Sequence, residues 1–145
     1  MNLIYISRNA RSMKSLLTIF TVVFTMMFSC ISFAEWERIG ETTGGNVHYV
    51  DFEKLRKHGG YVYYWQLIDF LKSDENGNSS VKGYEQVDCN AFRWKVLSIH
   101  IHEKAMGGGT FEAINFDDNS WEYPPPNSIS EFRLEQVCSR SSNFQ

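Results

Sequence analysis

Apolar positions along this chain recur with two different periods. The clearest run spans residues 61–71, YVYYWQLIDFL. Tyr61, Tyr63, Trp65 and Leu67 share one parity, and Val62, Tyr64, Gln66 and Ile68 share the other. Successive side chains of a strand point to opposite faces, so this run predicts a strand covered on both sides and central in its sheet. The polar loop KSDENGNSS follows, and residues 80–88 return as the hairpin partner. The next run, residues 89–104, changes phase: Phe92, Trp94 and Val96 keep one parity, while Leu97, Ile99 and Ile101 take the other. One extra residue near positions 96–97, a β-bulge, reconciles the two sets; without it one of them would face water. MGGGT predicts a tight hairpin turn, and residues 111–116 come back as a further strand.

Shorter strands are expected over residues 35–40 and 46–51, separated by the turn TTGGN. Asp51 then caps a predicted short helix over residues 52–58. Glu53 sits near its positive end, Lys57 and His58 near its negative end, and Gly59 and Gly60 stop it. A helical period also marks the C-terminal end. Ser128 and Glu131 form a capping box just after three prolines. Ile129, Phe132 and either Leu134 or Val137 supply the apolar side, and Cys138 shares it one turn after Leu134.

Residues 13–34 have a basic start, a long uncharged apolar run and a small-x-small end at Ser32 and Ala34, the layout of a secretory signal peptide cut before Glu35. Met13, followed by Lys14, makes a better start than Met1. The expected organisation is a signal segment over residues 1–34 and one domain over 35–145, with no membrane span after cleavage. Two alternatives stand beside it. An uncleaved anchor is one, since residues 15–34 are about long enough to cross a bilayer. A lipidated Cys30 is the other, although bulky Phe28 suits that signal poorly. The abrupt switch to EWERIGE favours cleavage.

Cleavage removes Cys30 and leaves Cys89 and Cys138. An even count behind an export signal reads as one disulfide formed in an oxidising compartment, against the alternative of two buried thiols. The bond would close a loop of about 50 residues, worth roughly 4 kcal/mol by chain entropy. It would also staple the terminal helix to the sheet. The leader takes Arg8, Arg11 and Lys14 with it and no acid, so about 11 basic residues face 17 acidic ones, a net charge near −6. That balance argues against general nucleic-acid binding, which needs a basic footprint.

Candidate chemistry is sparse. His100 and His102 lie on one face of their strand, a start for a zinc site that needs a further ligand, with Glu85, Glu112 or His48 in question. The plainer expectation is the solvated face of an amphipathic strand, with Ile99 and Ile101 buried behind it. MGGGTF lacks the Lys-Ser/Thr ending of a phosphate loop. Every serine lies in a polar or helical stretch, so neither an enzyme nor a cofactor is expected. Tyr61, Tyr63, Tyr64, Trp65, Trp94, Trp121 and Tyr123 are core candidates, and any left exposed would make a protein-binding patch. Lys54, Arg56, Lys57, Arg93 and Lys95 are either ordinary solvated charges or a basic rim for an anionic partner.

The order of these features resembles the surface-adhesin protein E family of Gram-negative bacteria. The resemblance rests on an N-terminal Trp, the step from Tyr49 to Asp51, the strand from Val62 to Asp69 and the step from Val87 to Cys89. A glycine turn, Trp121, a proline and the final Cys138 complete the pattern. Order and spacing carry the likeness across nearly the whole mature chain. It implies an α+β fold, an antiparallel sheet of about six strands with one C-terminal helix tied on by the disulfide. It also implies a non-enzymatic surface protein that binds host matrix or plasma proteins such as laminin, vitronectin or plasminogen and can form a homodimer. The adhesin member is lipid-anchored. The poor lipidation context of Cys30 leaves periplasm and outer-membrane surface both open, and with them a periplasmic small-ligand or metal binder using His100 and His102.

Overall fold

The computed structural model describes residues 36–117 and 120–143. The expected signal segment over residues 1–34 lies outside the described residues. Six strands follow in order: β1 (Trp36–Glu41), β2 (Val47–His58), β3 (Tyr61–Asp69), β4 (Ser80–Asp88), β5 (Arg93–Lys104) and β6 (Gly108–Asn115). They form a single sheet in sequence order, every neighbouring pair antiparallel. One helix, α1 (Ile129–Ser142), closes the described chain. No helix among the described residues is long and apolar enough to cross a membrane.

The predicted helix over residues 52–58 is instead the second half of β2. Pairing jumps from Asp51↔Trp65 to Arg56↔Tyr63, so a wide bulge absorbs the extra residues. The Asp51 carboxylate shapes it. Oδ1 accepts the Lys54 backbone N–H at 3.2 Å, and Oδ2 pairs with Lys54 Nζ at 2.6 Å. Phe52 and Leu55, three residues apart, both reach the core across the bulge. That spacing also suits one face of a helix, which is why it misleads. Gly59 and Gly60 do not stop a helix. They are the two positive-φ residues of the tight turn joining His58 to its partner Tyr61, where a type I′ hairpin demands them.

The phase change in β5 is resolved as expected. Tyr84 opposes Ser98 and Glu85 opposes Val96, so Leu97 is the extra residue. Before it, residues 89–92 form a turn in which Asp88 Oδ1 accepts the N–H groups of Asn90 and Ala91 at 3.2 and 3.1 Å. The turn after β5 is a single 3-10 turn, Ala105–Gly107. Asp69 Oδ1 accepts the Met106 N–H at 2.6 Å, and Ser80 Oγ accepts that of Gly107 at 2.9 Å.

Helix α1 packs on one face of the sheet. Ser128 Oγ accepts the Glu131 N–H at 3.1 Å, and the Glu131 carboxylate reaches back to the Asn127 N–H at 2.6 Å, one residue earlier than in the standard box. Leu134 and Val137 are both fully buried, while Phe132 points outward. With Val50, Phe52, Leu55, Val62, Tyr64, Val87 and Trp94 they make the core. Cys89 and Cys138 are joined by a disulfide with Cα atoms 5.6 Å apart, which ties α1 to the end of β4. Arg140 adds a two-pronged ion pair to Glu37 of β1, one arm at 2.6 Å, and stacks over Phe52 at 3.8 Å.

Candidate functional site

Residues that oppose one another across a sheet share a face, so the register divides the side chains into two sets. The helix side holds a polar cluster that hydrophobic patterning did not reveal. Tyr64 OH and Gln66 Nε2 both donate to the Glu85 carboxylate. Arg133 of α1 meets Glu85 at 3.3 Å and donates to Gln66 Oε1 at 2.6 Å. Burial pushes the Glu85 carboxyl up and the Tyr64 phenol far up, and the Arg133 guanidinium opposes both shifts. The group is thus an internal network that locates the helix, with the Glu85 carboxylate paired on both oxygens and only Arg133 Nε left without a partner among its polar atoms. A signal for it was present: Arg133 falls four residues from both Ile129 and Val137, on the buried stripe, and Glu85 shares the parity of Val87. His48 also faces this side. Burial first, then the charge of Arg133, lowers its pKa from 6.5 to about 4.

Among the described residues no α-helix packs on the other face, where the Ala105–Gly107 turn covers one part through Lys82 Nζ and Ser80 Oγ, and the remainder forms the candidate site. One row across it reads Trp36, Asp51, Trp65, Tyr84, Ser98 and Asn115. The next reads Arg38, Tyr49, Leu67, Lys82, His100 and Ala113. Aromatic rings link the rows. Tyr63 lies 6.2 Å from Tyr84 and Trp65 lies 5.0 Å from Tyr84. Trp65 is 5.1 Å from His100, which stacks on Phe111 at 4.7 Å. Phe111, on the outer strand β6, is 54% exposed. Adjacent to this ladder is a cleft of about 320 Å³ lined by Trp36, Asp51, Lys54, Trp65, Lys82 and His100.

The two histidines do share the helix-free face, but only His100 is partly exposed there. His102 is 3% exposed, covered in part by Phe111 at 5.1 Å, and burial followed by the charge of Lys82 lowers its pKa. The reason is that large rings from β3 and β6 crowd the same face. Glu85, Glu112 and His48 take the opposite parity, beside Val96, Ile101 and Ile68 respectively. Among the described residues no three His, Cys, Asp or Glu side chains converge as a metal site.

The five basic candidates separate. Lys54 enters the cleft. Arg56 and Lys95 lie in one row with Tyr63 and Gln86 between them. Lys57 opposes Val62 and so belongs to the helix side. Arg93 forms an ion pair with Asp88 at 3.0 Å, and both Arg93 and Lys95 lie over the Trp121 ring, at 4.6 and 5.1 Å. Trp121 also meets Tyr61 at 5.6 Å, and mutual backbone bonds between Trp94 and Glu122 hold its segment along β5. The sheet therefore ends in a cation-and-indole cluster at one end and an aromatic cleft in its middle.

The family model described as surface-adhesin protein E matches residues 36–139. The chain belongs to that family. Similar solved structures are those of Haemophilus influenzae protein E. One, at 12% identity, covers 78% of this chain and 90% of that chain with a TM-score of 0.59. Protein E from non-typeable Haemophilus influenzae, also at 12% identity, covers 79% and 82% with a TM-score of 0.57. A second crystal form of Haemophilus influenzae protein E gives 12%, 66%, 82% and a TM-score of 0.54. At such identity the likeness speaks for the fold. No curated protein matches this chain in sequence.

Proposed function

We propose that this protein is an exported, non-enzymatic binding module that engages a protein partner through its helix-free face. The signal segment over residues 1–34 would be removed before Glu35, releasing a single domain that reaches the periplasm or the cell surface. Family membership supports an adhesin, and host matrix or plasma proteins are the partner class that follows from it. The observation that carries the reading is the aromatic ladder on the uncovered face, with Phe111 more than half exposed at its edge. Aromatic and arginine side chains supply most of the energy of protein contacts, and Trp121 with Arg93 and Lys95 adds both chemistries at one end. Among the described residues β6 pairs only with β5, so its outer edge is the natural place for a partner strand or a second copy to add.

Surface labelling of intact cells, combined with binding of purified protein to immobilised laminin, vitronectin and plasminogen, tests this. A labelled protein that binds one of them, and loses binding on Phe111→Ser or Trp121→Ala, supports the proposal. Confinement to the periplasm together with no binding to any of the three overturns it.

A further inference from the structure

We propose that the cleft between Trp36 and Trp65 is a subsite for the carboxylate-bearing ring of an acidic sugar. Its lining comes from five strands: Trp36 of β1, Asp51 and Lys54 of β2, Trp65 of β3, Lys82 of β4 and His100 of β5. Trp36 and Trp65 each oppose Asp51 in the register, so an indole stands on either side of a charged floor. A volume of about 320 Å³ is at the small end for ligand sites and suits one ring.

The polar atoms select the ligand. Asp51 is 1% exposed, and both its oxygens already accept from Lys54. Asp51 is therefore the fixed counter-charge of the floor, and a ligand meets the half-exposed Lys54 ammonium above it. Lys82 Nζ donates to the Gly107 carbonyl at 3.0 Å and lies 6.0 Å from the Trp36 ring, with two further protons to give. The cleft thus holds two ammonium groups against one carboxylate. Burial, then repulsion from Lys54, lowers the Lys82 pKa. A single negative charge placed between the two lysines would relieve that repulsion. The indoles ask for a ring with an apolar face, and the open, half-wet setting asks for a hydroxylated rim.

Other ligand types match less of this. A neutral sugar leaves the second ammonium unmatched. A flat aromatic acid stacks but brings no hydroxylated rim to the open side of the cleft. Two larger hollows, of about 350 and 430 Å³, flank the Gly59–Gly60 turn, but neither sets paired indoles over a charged floor.

The test is a titration of the full-length, ¹⁵N-labelled protein with glucuronate, glucose and benzoate, following the indole N–H signals of Trp36 and Trp65. Glucuronate is expected to shift both signals, and glucose to bind at least about tenfold more weakly. Lys82→Gln is expected to weaken glucuronate about tenfold. Lys54→Gln should weaken it severalfold, and because the change also removes the ion pair to the buried Asp51, a denaturation series on the same variant separates lost binding from lost stability. No shift with glucuronate, equal binding of glucose or of benzoate, or full affinity in the Lys54→Gln and Lys82→Gln double variant each overturns the proposal. The readout involves no matrix protein, so its failure leaves the adhesion reading to its own assay.

Discussion

Tyr64 and Trp65 are neighbours in the chain, yet they meet opposite conditions. Tyr64 is sealed beneath α1, its hydroxyl on Glu85 and its ring in the core. Trp65 stands on the uncovered face between Tyr84 and His100, one wall of an open cleft. Both faces of the sheet are aromatic, and among the described residues α1 covers one while the other is covered only in part, by the Ala105–Gly107 turn. On the lidded face every charge needs a partner, because an unpaired ion out of water costs several kcal/mol. On the open face rings shelter one another while their edges stay available, the condition for a surface that binds something. The difference shows that aromatic content alone does not identify core. What lies above a ring decides whether it stabilises the fold or recognises a ligand.

The largest test of this contrast is Arg133→Ala. It strands Glu85 in the core, and an equilibrium denaturation series should show a loss of about 4 kcal/mol. Pairing Arg133→Met with Glu85→Leu should recover much of it, since the cost lies in the orphaned charge. Unchanged stability in Arg133→Ala would mean that water reaches the network. Next comes the disulfide. Cys89→Ser with Cys138→Ser opens the 49-residue separation and should cost up to roughly 4 kcal/mol, with a matching fall in Tm under reductant.

Acid provides the third test. Above about pH 6.5 His48 is neutral in both folded and unfolded chains, so it has no effect on stability there. Between 6.5 and about 4 only the unfolded chain takes up the proton. Stability therefore falls as pH drops through that window, by roughly 3 kcal/mol once complete. His48→Gln should flatten this part of a pH-stability profile, and an unaltered profile would assign the loss to other groups. The smallest stability effect belongs to the open face. Phe111→Ser removes a half-exposed ring stacked on His100 and should cost about 1 kcal/mol, while lowering partner binding in a surface plasmon resonance assay. A large stability loss there would show that this ring is core after all.

Much of this architecture was legible in the sequence. The alternation in residues 61–71, the phase change near Leu97 and the capping residues Ser128 and Glu131 are local signals, and local signals survive in one dimension. The pairing of Cys89 with Cys138 followed from counting. The bulge in β2 did not follow, because Phe52 and Leu55 obey a spacing common to a helical turn and a bulged strand; the pairing of Arg56 with Tyr63 settles it, and that is a contact between strands. His100 and His102 were placed on one face correctly, and His102 alone was placed in water wrongly, for a similar reason. Parity tells which side chains point together, but the rings that cover them come from β3 and β6. The cleft was invisible for the same cause at larger scale: its six lining residues are drawn from five strands. Period and composition, which depend on nearest neighbours, determined the elements and the covalent tie. Register and the placement of α1 depend on distant partners, so the tertiary structure alone decided which face lies beneath the helix and which does not.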